Sequence, residues 1–513
     1  MSEITIDGRR IAVEPGTTVL DAAGRLGIPI PTLCHLPGTE PFTSCMACVV
    51  RNVATGRFLP ACSAPVTDGM VVETDTPGVR EERRKVLELL LSEHAGDCEA
   101  PCALTCPARL DIPRMIRHIA AGDGAAALAT VLERIALPGV LGYVCPAPCE
   151  KACRRGARDA PVAICALKRF AAEGGGDGGS RAAEGPQARV AIIGAGAAGL
   201  AAAYYLARLG HGCVVFDERE APGGQLRYGV PRERLPLPVL EADIDRIRRA
   251  GVEFRLRTRI EPGAGLRELK AGFAAVVLAT GGGGAPSAWG LDTEARGIQI
   301  ERGTFRTSDP RVFAGGDVAR ATGRLAVRAV AQGRAMAVAA DHALRGQPVV
   351  GPPRRYEARM GRLRAGEIDV LMQGAAPGSR VEPGSGMCYA PDEARRESRR
   401  CLRCDCRKAD VCRLRAVAEG CGVVSASVSV ADRLAFTRDT THPHVVYEAG
   451  KCIKCGICAR IVGRSGRTPG LAFMGRGYEA RVGVPFGDSW ARALGDSAEA
   501  CVNACPTGAL AWR

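Results

Sequence analysis

The chain has 513 residues, 46% hydrophobic and 24% charged, which is the composition of a globular protein long enough for roughly three or four domains. Its formal net charge of +14 is carried almost entirely by arginine, and aromatic residues make up only 4%. The arginines are spread along the whole chain with no basic tract and no aromatic stacking platform, which argues against a nucleic-acid binder and leaves a solvated basic surface or an acidic electron-transfer partner.

No apolar run reaches the ~18 residues of a membrane span, and the first residues, MSEITIDGRR, carry acids before any apolar core. Neither membrane insertion nor a secretory leader is expected, and the expected location is the cytoplasm. In such a chain, 23 cysteines with recurrent C-x2-C spacing point to metal ligands rather than disulfides.

Residues 1–78 read as a small β-rich unit. ITI and RRIAV flank Asp7-Gly8, a favoured hairpin turn, and TTVLDAAGRLG supplies a threonine N-cap and a glycine stop for a short helix. Cys34, Cys45, Cys48 and Cys62 give C-x10-C-x2-C-x13-C on loops, four thiolates that suit a 2Fe-2S cluster. Zinc is the alternative, although the long first spacing is unlike a zinc ribbon. The segment resembles the N-terminal ferredoxin domain of the large iron-sulfur subunit of respiratory complex I and of iron-only hydrogenases, which implies a β-grasp fold.

Residues 79–173 begin with an amphipathic helix, VREERRKVLELLLSEH, and continue as a cysteine-rich helical region. HAGDCEAPCALTCPARLDIP and VCPAPCEKAC contribute His94, Cys98, Cys102, Cys106, Cys145, Cys149 and Cys153. This resembles the helical two-cluster domain at the front of the glutamate synthase small subunit and of dihydropyrimidine dehydrogenase. The resemblance implies that Cys98, Cys102 and Cys153 with His94 hold one 4Fe-4S cluster and that Cys106, Cys145 and Cys149 hold a second. Two positions depart from the pattern. His94 stands where the first cysteine is expected, as a ligand or as a helix-end residue, and Lys168 stands where a Gln or Glu ligand is expected. Lysine is a poor cluster ligand because its amine is protonated at neutral pH, and Cys165 offers a substitute one turn earlier.

Residues 174–187, GGGDGGSRAAEGPQ, read as a flexible linker, and residues 188–347 as an α/β domain. RVAIIGAGAAGLAAAYYLARLGHGCVVFDE joins a strand, Gly194, Gly196 and Gly199 as G-x-G-x-x-G, a helix, and a second strand ending in Asp217. The glycines admit a pyrophosphate to the helix N-terminus, and the acid can accept from a ribose hydroxyl. Cys213 reads as a buried structural thiol. PGGQLRYGVP, with Gly224 and Gln225, VVLATG, ending in Thr280 and Gly281, and RVFAGGD, ending in Gly316 and Asp317, resemble the FAD domain of the glutamate synthase small subunit. That resemblance implies FAD, with Gly224 and Gln225 on the flavin side, Asp317 at the ribitol or pyrophosphate, and a helix starting near Val327 directed at the flavin ring. In the resembled proteins an NAD(P)H domain lies between the last two segments. Here only residues 282–311 remain, too few for a βαβαβ unit, so GGGG at 281–284 reads as a splice within one FAD domain.

Residues 348–399 form a Pro- and Arg-rich connector. In the segment 400–440, RRCLRCDCRKADVC supplies Cys401, Cys404, Cys406 and Cys412, suited to iron-sulfur or to structural zinc. Residues 441–513 carry KCIKCGICARIV and CVNACPTGAL, which resemble a bacterial two-cluster ferredoxin. The resemblance implies one 4Fe-4S cluster on Cys452, Cys455, Cys458 and Cys505. The second cluster has lost three ligand positions, now Val462, Gly495 and Ala498, which leaves Cys501 as a free thiol.

The expected architecture is a multidomain α/β plus α+β chain: a β-grasp 2Fe-2S domain, a helical iron-sulfur domain, a Rossmann-like FAD domain and a ferredoxin-like C-terminal domain. The expected function is an oxidoreductase subunit with FAD, one 2Fe-2S cluster and three or four 4Fe-4S clusters, its chemistry residing in the cofactors and no catalytic side chain assigned. Expected partners are a complex-I-like FMN subunit, a hydrogenase, a molybdenum or tungsten enzyme, or a ferredoxin. The alternatives are an electron donor to an amidotransferase and a relay whose FAD is structural.

Overall fold

The computed structural model describes residues 1–176, 187–319, 325–351, 355–384, 388–423 and 433–513. They fall into two compact units, one made of 1–99, 354–373 and 403–513, the other of 100–353 and 374–402. In sequence, the second unit is therefore enclosed by the first.

The first unit opens with the hairpin of β1 (Ser2–Ile6) and β2 (Arg9–Val13). Asp7 and Gly8 both adopt positive φ, 48° and 79°, as the tight turn matching strand twist requires. The Asp7 carboxylate then accepts from the Thr74 backbone N–H at 2.8 Å, so the turn also fixes the end of the last strand of the sheet. Helix α1 (Val19–Arg25) is capped by Thr18, whose hydroxyl accepts from Asp21 N–H. Strands β3 (Val49–Asn52), β4 (Phe58–Pro60) and β5 (Met70–Glu73) complete a mixed sheet in the order β2-β1-β5-β3-β4. Its core holds Ile4, Ile6, Val50 and Val72 together with Cys48 and Cys62. Helix α2 (Pro77–Ser92) starts after the Thr76 cap and buries Val79, Arg83, Leu87 and Leu91, a four-residue repeat that keeps one face inward. It stops at Glu93, so His94 lies on the following loop rather than within the helix.

The second unit begins with short helices α3 (Pro101–Thr105), α4 (Ile112–Ala121), α5 (Gly124–Leu132), α6 (Pro138–Val144), α7 (Pro148–Lys151) and α8 (Ile164–Gly174). Asp111 and Asp123 cap α4 and α5, and Gly122 ends α4 at φ 82°. A parallel sheet follows: β6 (Arg189–Ile193), α9 (Ala197–Arg208), β7 (Gly212–Phe216), α10 (Gln225–Tyr228), α11 (Leu237–Arg249), β8 (Glu253–Arg255), α12 (Ala264–Gly272) and β9 (Ala275–Leu278). After the two-residue strands β10 (Thr293–Glu294) and β11 (Gly297–Ile298) come β12 (Val312–Ala314) and the long helix α13 (Ala326–Leu344). The order β8-β7-β6-β9-β12, all parallel, is doubly wound, and connections leave β6 on one side and β9 on the other. Helix α13 packs closely along α9 because Gly333 has no side chain: a Cβ there would lie 2.2 Å from the Ala198 carbonyl oxygen.

Helix α14 (Glu367–Met372) belongs to the first unit and α15 (Pro391–Ser398) to the second. The first unit then closes with α16 (Arg413–Gly420), β13 (Val445–Tyr447), α17 (Ile457–Arg464), β14 (Ala472–Met474), β15 (Arg481–Gly483), α18 (Trp490–Leu494), α19 (Ala498–Ala504) and β16 (Leu510–Trp512). Strand β16 pairs antiparallel with β13, which brings the chain end back beside the start of the cysteine motif.

A buried ionic knot holds the second unit's separated segments together. Arg155, fully buried, donates to Asp159, to the Ala376 carbonyl at 3.0 Å and to the Arg400 carbonyl at 2.8 Å. Arg400 in turn donates to Glu397 and Asp159, and Glu397 accepts from the backbone of Ala163 and Val381. The two cations and two carboxylates balance. Arg155→Met is expected to destabilise this unit by ~1–3 kcal/mol, because it leaves the Ala376 and Arg400 carbonyls without their donor, while Asp159 keeps Arg400 and its access to water. A shift of the unit's denaturant midpoint measures it.

Candidate functional site

The second unit's site is built at the C-terminal ends of β6, β7, β9 and β12. Gly194 follows β6 with φ 102°, and a Cβ on it would sit 2.4 Å from the Ala279 carbonyl oxygen at the end of β9. A Cβ on Gly199 would lie 1.9 Å from the Gly194 oxygen, so only glycine lets the turn close onto α9. Gly196 is the N-cap of α9, and Gly224, at φ 49°, stacks on it closely enough that its Cβ would lie 2.9 Å from the Gly196 Cα. Asp217, just beyond β7, accepts from the Ala195 N–H at 2.7 Å, which ties the acid to the glycine-rich turn.

From the other side of the sheet come Thr280 and Gly281 after β9, and Gly316 and Asp317 after β12. A Cβ on Gly316 would contact that of Ala198 at 3.3 Å, and one on Gly282 would lie 3.6 Å from the Asp317 Cβ. The segments named in the sequence therefore converge on the N-terminus of α9, at the switch point between β6 and β9, where a doubly wound sheet binds a dinucleotide. Gln225 is exposed at the start of α10. The Gly316 N–H donates to Gln332 at 2.7 Å, and beside it opens a cleft lined by Ile300, Arg302, Gly303, Phe305 and Gln332. Residues 282–311 form a 3-10 turn (Pro286–Trp289) and the β10-β11 pair, and bury Trp289 and Ile298 against the domain's own sheet.

In the same unit, α8 places Cys165 and Lys168 beside the expected cysteines. The Cys165 thiol is hydrogen-bonded to those of Cys145 and Cys149, and its pKa is held well below the ordinary value by them. Burial works against the charge of Lys168, but the Cys165, Cys145, Cys149 and Cys106 thiols around it raise its pKa. Cys102, Cys153 and Cys401 border the same helical core. Arg155, two residues after Cys153, holds the Arg400 carbonyl, next to Cys401. Cys213 is buried in β7.

In the first unit all of Cys34, Cys45, Cys48 and Cys62 are buried, and they meet as two pairs. A hydrogen bond from Cys45 brings the Cys34 thiol down to about 5, one from Cys62 brings Cys48 down to about 7, and each partner is pushed up. Two pairs of thiols suit a 2Fe-2S group, in which each iron takes two.

Cys452, Cys455, Cys458 and Cys505 line one small cavity, together with Tyr447, Ile457 and Val482. Cys501 does not line it. Its thiol is fully buried, 3.7 Å from the Cys458 carbonyl oxygen. Val462 and Ala498 pack with Trp490, Leu494 and Cys501, so apolar core fills the region where a second ferredoxin cluster would need ligands.

The remaining predicted ligands divide between the units: His94, Cys98, Cys404, Cys406 and Cys412 lie in the first, and Cys102, Cys153 and Cys401 in the second. Within the first unit the Cys406 N–H donates to the Cys98 carbonyl at 3.1 Å, and the Cys98 and Cys412 thiols both feel the charge of Cys406. Cys406 rests over Gly508, whose added Cβ would lie 2.2 Å from its sulfur, and the Cys412 thiol lies 3.7 Å from the Pro506 oxygen. The Nδ1 of His94 is buried with no hydrogen-bond partner, and burial with the nearby Lys451 ammonium pushes its pKa down to about 4. Among the described residues no three His, Cys, Asp or Glu side chains converge as a single metal ion requires.

Two groups had no signal in the sequence. Arg460 donates to the Cys34 carbonyl at 2.6 Å and to the Thr39 hydroxyl at 3.0 Å, and reaches the Cys455 carbonyl, tying two cysteine loops from opposite ends of the chain. Glu448, buried, pairs with Lys451, Arg407 and Arg438 beneath Cys406.

Three families match the chain in turn. Residues 1–77 match the 2Fe-2S iron-sulfur cluster binding domain, 92–177 the 4Fe-4S domain II of dihydropyrimidine dehydrogenase, and 192–239 the NAD(P)-binding Rossmann-like domain. The NADP(+)-dependent formate dehydrogenase subunit beta of Moorella thermoacetica is 40% identical over 36% of this chain and 29% of its own length. The NADPH-Fe(3+) oxidoreductase subunit beta of Geobacter sulfurreducens is 42% identical over 36% of this chain and 28% of its own. The NAD-dependent dihydropyrimidine dehydrogenase subunit PreT of Escherichia coli K12 is 34% identical over 45% and 60%. The chain thus spans less than two thirds of these relatives, all of them oxidoreductase subunits. No helix among the described residues is long and apolar enough to cross a membrane.

Proposed function

We propose that the chain is an FAD- and iron-sulfur-dependent electron-transfer subunit of a larger oxidoreductase, passing electrons between a partner redox protein and its flavin. The observation that carries this reading is the coexistence of two kinds of site: a glycine-lined dinucleotide site at a sheet switch point and thiols arranged in pairs and around a cavity. FAD suits the dinucleotide site because strand ends on both sides of the switch point, including the Gly224 and Gly316-Asp317 turns, press onto the N-terminus of α9. The Rossmann-like fold that binds NAD(P) serves FAD by the same pyrophosphate contacts. Flavin exchanges one or two electrons and each cluster one, so the pair converts hydride-type chemistry into single-electron transfer. That the relatives bear the names of subunits supports a partner that supplies or drains these electrons.

We assign the ligand sets from the thiols that stand near one another within each unit. Cys34, Cys45, Cys48 and Cys62 hold the 2Fe-2S group, and Cys452, Cys455, Cys458 and Cys505 a 4Fe-4S group. In the first unit Cys98, Cys406 and Cys412 contribute to another, to which His94 is added as the fourth ligand. The neutral imidazole of His94, with its unpartnered Nδ1, suits this role. In the second unit Cys106, Cys145 and Cys149 form one ligand set, and Cys102, Cys153 and Cys401 contribute to another. Four 4Fe-4S groups and one 2Fe-2S group give about 18 iron atoms per chain. Elemental analysis of anaerobically purified protein is expected to find this iron, and FAD on denaturation; a chain carrying mostly zinc, or releasing NAD(P) in place of FAD, refutes the reading.

A further inference from the structure

We infer that Cys165 is the fourth thiolate of the iron-sulfur group held by Cys106, Cys145 and Cys149, and that the Lys168 ammonium is its fixed counter-charge. This rests on the reading above that the second unit holds a 4Fe-4S group at those three cysteines. The sequence pattern expects a side-chain oxygen ligand at position 168, where lysine offers only an ammonium. The first turn of α8 provides the replacement.

Cys165 is locked in position by the residue that follows Cys149. Glu150 accepts the Cys165 N–H through one carboxylate oxygen at 2.9 Å, and Arg380 donates to the other at 2.9 Å. Glu397, itself buried, accepts the Ala163 N–H at 2.8 Å and pins the same helix start. The Cys165 thiol is thereby brought within hydrogen-bonding distance of both Cys145 and Cys149. Lys168 lies three residues further along α8, hence on the same face, with its Nζ 3.7 Å from the Cys165 sulfur and its residue only 4% exposed.

A lysine buried this deeply is costly unless an anion faces it, and the Cys165 sulfur 3.7 Å from its Nζ is that anion. Reduction adds one electron and neither makes nor breaks a bond, so it raises the negative charge of the thiolate-held group by one. A fixed cation at this range, in a site too buried for salt to screen, makes that added charge less costly and raises the midpoint potential.

The test uses the full chain, purified anaerobically, with iron content, EPR spin counting and EPR-monitored potentiometry in parallel. Cys106→Ala, Cys165→Ala and the near-isosteric Cys165→Ser are compared with Lys168→Met, and retention of the 2Fe-2S signal reports that each variant has folded. Cys165→Ala is expected to lose the same 4Fe-4S signal as Cys106→Ala, with Cys165→Ser losing it or showing it altered, while Lys168→Met keeps its iron and titrates at lower potential. A signal lost in Cys106→Ala but unchanged in both Cys165 variants overturns the ligand assignment alone. A Lys168→Met variant with unchanged potential, or without the group's iron, overturns the role given to the ammonium. If Cys106→Ala itself leaves iron and signal intact, no group is held there and the underlying reading fails instead.

Discussion

Cys505→Ala is expected to abolish one 4Fe-4S EPR signal and remove about four iron atoms per chain, whereas Cys501→Ala keeps both, although the two cysteines stand one helical turn apart. Cys505 ends α19 and lines the cavity with Cys452, Cys455 and Cys458. Cys501 points instead into the apolar core with Val462, Trp490 and Ala498. Its partner positions in a second cluster carry no ligand: Val462 is fully buried and apolar, and neither Gly495 nor Ala498 has a donor side chain. Alanine at 501 therefore removes only a buried sulfur, at about 1–2 kcal/mol of stability, and no ligand. Equal loss of the signal in both variants would show that the cavity is not the cluster site.

How far the sequence carried this depended on whether a feature was local. The Asp7-Gly8 hairpin, the Thr18-capped helix and the G-x-G-x-x-G turn each declare themselves within a few residues, because turn, cap and close-approach chemistry is decided by neighbours. The cysteine motifs were legible for the same reason. What spacing could not show is which thiols meet when they come from remote segments. Cys98 has Cys406 as its neighbour because the chain leaves the first unit after residue 99, returns for 354–373 and again from 403, returns that no local pattern encodes. Cys165 was visible only as a stand-in for Lys168; its place is fixed by Glu150, Arg380 and Glu397, two of which come from the far side of the dinucleotide domain in sequence. Arg460 and the Glu448 network belong to the same class. They join loops through single side chains whose role exists only in the folded molecule.

The isolated chain is expected to bind FAD tightly and yet not to be reduced by NADH or NADPH at a useful rate. Hydride transfer needs the nicotinamide held against the flavin in a near-attack geometry, and the effective molarity gained by doing so, on the order of 10⁵ M or more, normally requires a fold that grips the adenine-ribose-pyrophosphate handle. A βαβ crossover takes roughly 30 residues by itself. Residues 282–311 are the whole interval between the two flavin-side segments, and their short turn and two-residue strands are spent covering the domain's own sheet through Trp289 and Ile298. The match to an NAD(P)-binding Rossmann-like domain at 192–239 falls on the same Gly194–Gly199 turn that the proposal gives to FAD, so it adds no second site. On the proposed reading, electrons are expected to reach the flavin through a cluster, from a reduced ferredoxin or from a partner subunit. Anaerobic stopped-flow mixing decides the matter: flavin absorbance should persist with either nicotinamide and fall when a reduced ferredoxin is supplied. Rapid bleaching by NADH or NADPH without a partner would mean that the Gly194–Gly199 turn, or a surface near the Gln332 cleft, serves the nicotinamide cofactor directly.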